Sequence, residues 1–377
     1  MKNTLLAFLL LAAPALALAQ SPISYSISGR IGNLNAPAKV YLFGPNTADS
    51  VVLKNGAFEF KGTTEMPAPA DVALKRTGKL NNLFGAKERL RVYLEPTPVV
   101  ITSADSLLEG RAKVTGGPLT ADDERLGVAM RAVAEKSRAF SAQARNATEA
   151  QRKDPAFTAR MQASFDAMGK EYAQVYARFV RENPNSWVSL YALDGMKMLE
   201  LPQYATVGPL YNALSPELKN TRIGRDYGDM VEKLKALAVG APAPGFTQNT
   251  PEGKPVSLAD YRGKYVLVDF WASWCGPCRA ESPAIAKVYQ QYKTRNFDVL
   301  GVSLDRPDGR AKWLKAIADD HMPWVQVSDL RGFSNQVAQL YGVRGIPQNY
   351  LIGPDGTIVA VNLKGEELGA TLARLLK

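Results

Sequence analysis

The stretch VDFWASWCGPCRAESP, Val268 to Pro283, holds both cysteines of a 377-residue chain, with only Gly276 and Pro277 between them. Upstream, KYVLVDFWA, residues 264–272, is a β-branched and aromatic run of the kind that forms a central strand buried on both faces. Downstream, from Pro277, the sequence reads as helix through CRAESPAIAKVYQQYKTR. The thiols therefore fall at a strand-to-helix turn, with Cys275 at or near the helix N-terminus. Unpaired backbone N–H groups and the positive end of the helix dipole favour thiolate there, which makes Cys275 the nucleophile. Cys278 lies one turn inside the helix, placed to attack a mixed disulfide formed at Cys275.

Other uses of the pair fit less well. A bridge between Cys275 and Cys278 closes almost no loop and so restricts the unfolded chain little. A zinc site needs about four ligands, and two thiols with His321, the only histidine, do not supply them. What remains is a dithiol that cycles between oxidised and reduced forms, without metal or cofactor.

Working outward, the first twenty residues, MKNTLLAFLLLAAPALALAQ, have an early Lys2, an apolar run from Leu5, and small residues at Ala17 and Ala19. That is the layout of a secretory signal cleaved after Ala19. The run is short for a membrane span, which needs ~20 apolar residues, so an exported protein is expected. Forty-six Lys and Arg against 36 Asp and Glu give a net charge of +10. The charges alternate along the chain without the basic and aromatic interleaving of a nucleic-acid binder, so no nucleic-acid partner is expected.

WCGPC after VDFWAS resembles the active site of thioredoxin, and residues 240 to 377 resemble the exported TlpA/ResA-type thiol-disulfide oxidoreductases of the alkyl hydroperoxide reductase/thiol-specific antioxidant superfamily. The resemblance rests also on APAPGFTQNTPEGKPVSLADYRGK as a leading hairpin, VLGVSLD as the next strand, and YGVRGIPQNYLIGPDGTIV as the closing segment. It implies a place in the periplasm or cell envelope, and a C-terminal α/β thioredoxin-like fold in which Cys275 and Cys278 are catalytic. Pro347 matches the cis-proline that lies against the sulfurs and presents backbone to an incoming peptide. Gln348 stands where thioredoxin has threonine. Trp274, Gly276, Pro277, Ile346 and Pro347 would line the substrate groove. Asp269 matches a buried carboxylate that exchanges protons with Cys278, and Glu281 a glutamate that adjusts the thiol pKa. Pro283 matches a proline that kinks the active-site helix. Gly276 and Pro277 add no charge or imidazole, which puts the couple toward the reducing end of a scale from about −270 mV for thioredoxin to about −120 mV for strong disulfide donors. The implied activity is a disulfide reductase acting on protein disulfide or dithiol substrates, recharged by a membrane electron donor of thioredoxin-reducing type. The resemblance leaves the substrate open between an apoprotein of cytochrome maturation, a misoxidised protein in general and something else. The rival enzyme reading is a thiol-dependent peroxidase; DFWASW before Cys275 lacks the Pro-X-X-X-Thr-X-X-Cys setting of those enzymes. A binding module in which the thiols are dispensable is the non-catalytic alternative. The enzyme reading expects Cys275 exposed and Cys278 shielded.

The rest of the chain divides by pattern. After the signal peptide, 1–19, residues 20–117 alternate short β-rich runs with turns, with Asn55-Gly56 as a hairpin signal, and suggest an antiparallel β-sandwich or barrel. Residues 118–238 carry apolar residues at helical spacing, with Ser215-Pro216-Glu217 as a capped helix start. VGAPAPGF then reads as a linker into a catalytic domain, 239–377. Residues 20–238 carry no catalytic signature. They read either as a spacer or as a substrate-selecting module, one form of which is a homodimer through the N-terminal domain. Asn146-Ala147-Thr148 is a chance glycosylation triplet, and His321, near Trp313 and Trp324, reads as a surface or helix-end residue.

Overall fold

A computed structural model describes residues 22–79, 88–108, 110–197, 199 and 201–376. The expected signal segment, 1–19, lies outside them. The chain divides into two compact units, one up to Ala129 and one from Met130.

The first unit is built from β1 (Ile23–Ile31), β2 (Lys39–Gly44), β3 (Thr47–Val52), β4 (Ala57–Thr64), β5 (Ala68–Lys75), β6 (Arg89–Leu94), β7 (Val99–Ser103) and β8 (Lys113–Thr115). They form two four-stranded sheets, ordered β4-β1-β7-β8 and β3-β2-β5-β6. Period-two alternation turns Ile27, Phe58, Phe60, Val99 and Ile101 of one sheet, and Val40, Leu42, Val72 and Leu74 of the other, into one shared core. The unit is thus a sandwich. All its pairs are antiparallel except β1 with β7, which run parallel because the chain builds the second sheet between them before returning. Asn55 and Gly56 take left-handed φ values of 49° and 76°, and Lys54 bridges Ala57, so the turn forms where expected. It does not close a hairpin, since β3 pairs with β2 and β4 with β1. Instead the turn seats on the β1–β2 loop: Gly56 N–H donates to Leu34 O, and Asn55 N–H to the Asn35 side chain. A Cβ on Gly56 would meet Gly32 O at 2.1 Å.

Helix α1 (Pro118–Asn146) begins in this unit. Its first turn is capped by Glu95, which is 2% exposed. The carboxylate accepts from the backbone N–H groups of Gly117, Leu119 and Thr120 and from the Thr120 hydroxyl, answering donors that a helix start leaves unpaired.

The second unit continues with α2 (Glu149–Lys153), α3 (Pro155–Glu182), α4 (Trp187–Met196), α5 (Tyr204–Ala213), α6 (Pro216–Lys219) and α7 (Arg222–Ala236). Side-chain oxygens of Thr148, Asp154, Ser186, Ser215 and Thr221 cap the starts of α2, α3, α4, α6 and α7. After β9 (Thr247–Asn249) and β10 (Pro255–Ser257), a short antiparallel ribbon, come β11 (Tyr265–Trp271), α8 (Gly276–Tyr292), β12 (Phe297–Ser303), α9 (Arg310–Asp319), β13 (Val325–Val327), α10 (Gln336–Leu340), β14 (Gln348–Ile352), β15 (Ile358–Val361) and α11 (Gly365–Leu375). The sheet order is β13-β12-β11-β14-β15. β11 is central, parallel to β12 and antiparallel to β14, and from Val266 to Trp271 it is buried throughout.

The segment expected as a linker is docked. Gly240 N–H donates to Ile358 O, Ile358 N–H to Ala241 O and Ala243 N–H to Gly356 O, while Leu237 sits in the catalytic core. Among the described residues, no helix is long and apolar enough to cross a membrane.

Candidate active site

Cys275 and Cys278 are joined by a disulfide, with their Cα atoms 5.3 Å apart. Cys275 is the N-cap residue of α8, and its sulfur accepts from the Cys278 backbone N–H at 3.2 Å. A donor that faces this sulfur in the bridge is in place to face a thiolate once the bridge opens. Both cysteines are 4% exposed, so in the oxidised form burial does not separate the two as the sequence reading expected. Gly276 and Pro277 between them are exposed, and Trp274 before them is 57% exposed. The Trp274 ring lies 6.2 Å from that of Phe333, which is itself partly exposed. Trp271 is a core residue whose indole N–H donates to Gln326.

The turn that carries Cys275 is held from beneath by Asp305, a fully buried carboxylate just past the end of β12. It accepts from the Ser273 N–H at 2.9 Å, the Ser273 hydroxyl at 2.6 Å and the Ser303 hydroxyl at 2.8 Å. On the other side of the turn Arg279 makes a two-pronged pair with Asp320, at the C-terminal end of α9, and its guanidinium reaches Ser273 O. Neither anchor was read from the sequence. Asp305 ends the quoted strand VLGVSLD and Arg279 follows Cys278, but only the assembled sheet brings Asp305 to a serine 32 positions earlier.

Asp269 lies on β11 opposite Gly301 and Asn349. It is 8% exposed, and its carboxyl group accepts no hydrogen bond among the described residues. Burial, and secondarily the negative charge of Glu281, push its pKa up to about 7. Glu281, on α8, is also raised by burial, opposed by the N–H of Gly365 and by Lys364. The Ile346–Pro347 peptide is cis. Gln348 turns inward, 8% exposed, and donates to the Tyr350 hydroxyl. Pro283 lies inside α8. His321 is exposed beyond the end of α9, while Trp313 and Trp324 are buried. Pro347, Ile346 and Glu281 all border one cavity of about 530 Å³.

Residues 239–361 match the AhpC/TSA family, and residues 25–122 match a family described as a domain of unknown function, DUF4369. The thiol-disulfide oxidoreductase ResA of Bacillus cereus is 30% identical over 151 residues, which cover 40% of this chain and 84% of that protein. The chain belongs to the ResA/TlpA-type thiol-disulfide oxidoreductases. The ResA of Bacillus subtilis is 29% identical over 135 residues, 36% of this chain and 73% of the relative. Among solved structures, the thioredoxin domain of a thiol-disulfide oxidoreductase from Bacteroides vulgatus is 40% identical, covering 37% of this chain and 99% of that one, with a TM-score of 0.35. A thiol-disulfide oxidoreductase from Bacteroides fragilis is 36% identical, covering 36% and 99%, with a TM-score of 0.34. This ResA/TlpA-type oxidoreductase is therefore an enzyme whose C-terminal thioredoxin-like domain follows a β-rich N-terminal unit and a helical segment that these relatives do not cover.

Proposed function

We propose that the protein is an exported, periplasmic disulfide reductase that acts on protein disulfides through Cys275 and Cys278. The observation that carries the proposal is the placement of Cys275 at the N-cap of α8, its sulfur facing the Cys278 N–H. In the reduced enzyme the Cys275 thiolate attacks one sulfur of a substrate disulfide. An intermolecular disulfide forms, and the substrate's other sulfur leaves as thiolate and takes a proton. Cys278, once deprotonated, attacks the Cys275 sulfur. This closes the internal bridge and releases the second substrate thiolate. The substrate gains the two electrons that the enzyme loses, and its two thiolates take up protons, one that left Cys278 and one from solvent. Asp269, with a pKa near 7 in an apolar setting, is suited to take the Cys278 proton at neutral pH, and Glu281 tunes it. Trp274, Gly276, Pro277, Ile346 and Pro347 form the groove. The oxidised pair is then recharged by a membrane dithiol donor of thioredoxin-reducing type, with no bound cofactor.

The test is the reduction potential of the Cys275–Cys278 couple, measured by equilibration with dithiothreitol or glutathione, together with turnover of a protein disulfide. A potential near the −270 mV that is typical of thioredoxin, with Cys275→Ser inactive and Cys278→Ser accumulating the mixed disulfide, supports the reading. A potential near the oxidising end would recast the enzyme as a disulfide donor, and full activity of Cys275→Ser would remove the dithiol from the chemistry.

A further inference from the structure

The cavity beside Pro347 is not walled by the thioredoxin-like fold alone. Its lining joins Ile346, Pro347 and Glu281 with Leu199 and Leu201, from the turn after α4, and Lys170 of α3. The two groups are close and tied. A Cβ on Gly345 would lie 3.1 Å from a Leu201 methyl, a tight contact, so the loop passes close to this leucine. Lys364, at the start of α11, pairs with Asp166 of α3 at 3.7 Å.

We propose that the helical segment forms part of the substrate site. On this proposal, Leu199 and Leu201 with Ile346 receive an apolar side chain from an extended polypeptide, next to the cysteine that bonds to Cys275. This rests on the reading of the protein as a protein-disulfide reductase and adds the kind of sequence it prefers. Three observations select that occupant. Pro347 and Glu281 line the cavity, and Pro347 is the residue that the thioredoxin resemblance sets against the sulfurs, so on the reductase reading the chain flanking a substrate cysteine runs along it. The Ile346 peptide, next to Pro347, makes no hydrogen bond among the described residues, which leaves its N–H and C=O to pair with an extended chain. Acidic and basic groups both border the cavity, so charge offers little discrimination, whereas the leucines and isoleucine offer apolar contact. A small disulfide that reaches only Cys275 has no use for this wall.

The test uses the full chain, reduced, against three substrates: two peptides of equal length that carry an internal disulfide, with leucine or with serine beside one cysteine, and dithiobis(nitrobenzoate) as a small disulfide. Leu201 is half-buried, so both Leu201→Trp, which fills the cavity, and Leu201→Ser, which opens it, are compatible with folding; circular dichroism and melting check this. The wild type is expected to favour the leucine peptide in kcat/KM by tenfold or more, the usual worth of an apolar pocket contact. Both variants should lose that preference, chiefly through KM, and leave the rate on the small disulfide within about twofold. A wild type that reduces both peptides equally, or variants that retain the preference, overturn the proposal while the reductase reading stands. A wild type that reduces none of the three overturns both.

Discussion

Asp269 is a carboxyl group set into the central strand without a donor among the described residues, and its chemistry follows from that. In the unfolded chain it releases its proton near 3.8, and in the folded protein near 7. Between those values the folded state holds the extra proton, so its contribution to stability is highest below pH 4, declines as pH rises, and levels off above 7. The span of about three pKa units corresponds to on the order of 4 kcal/mol. Asp269→Asn is accordingly expected to match the wild type in stability near pH 4 and to exceed it increasingly up to pH 8, read from urea midpoints across that range. The same variant should flatten the step near pH 7 in the rate of disulfide exchange, and Glu281→Gln should move that step to lower pH, since it removes the neighbouring negative charge. A flat stability difference across pH would refute the buried-acid account. Sequence reached Asp269 and Glu281 because both lie within a few positions of the cysteines, in a motif that reads locally. Asp305 and the Arg279–Asp320 pair fix the same turn yet were invisible, because a carboxylate in GVSLD has no meaning until β12 is laid beside β11.

At the scale of elements, periodicity and punctuation carry far but do not specify partners. The short β-rich runs of the first unit, the long helices from Pro118 onward and the buried strand before the cysteines all follow from residue spacing. The pairing does not: Asn55-Gly56 turns the chain as its residues require, yet the strands on either side go to different sheets, because the faces to be buried outweigh the local ribbon. The cap of α1 is of the same kind. Glu95 ends a strand and answers donors 22 to 25 residues later, a distance over which no capping signal is readable. Glu95→Ala should cost about 2–3 kcal/mol in unfolding free energy, because charge-assisted hydrogen bonds are lost and buried N–H groups are left unpaired. Glu95→Gln should recover part of that in the same denaturation experiment. A change below about 0.5 kcal/mol for Glu95→Ala would show that water replaces the carboxylate.

Across the whole molecule, the order of β-rich unit and helical segment was legible from residue periodicity and the thioredoxin-like domain from the resemblance carried by WCGPC and its flanks, whereas the intimacy of the last two was not. VGAPAPGF has the proline and glycine content of a free tether, but its backbone is engaged with the catalytic sheet. That engagement bears on solubility. β15 is the last strand of its sheet, and the backbone of residues 240–243 pairs with Gly356 and Ile358 at the start of that strand. An uncovered edge is a template for strands of other molecules. A catalytic fragment of residues 246–377 should therefore keep the dithiol chemistry but self-associate on size-exclusion chromatography, while one of residues 236–377 elutes as a discrete species; equal behaviour of the two would assign the segment no such role. On the expected outcome those few residues would act as a chaperone in cis, guarding the oxidoreductase from others of its own kind.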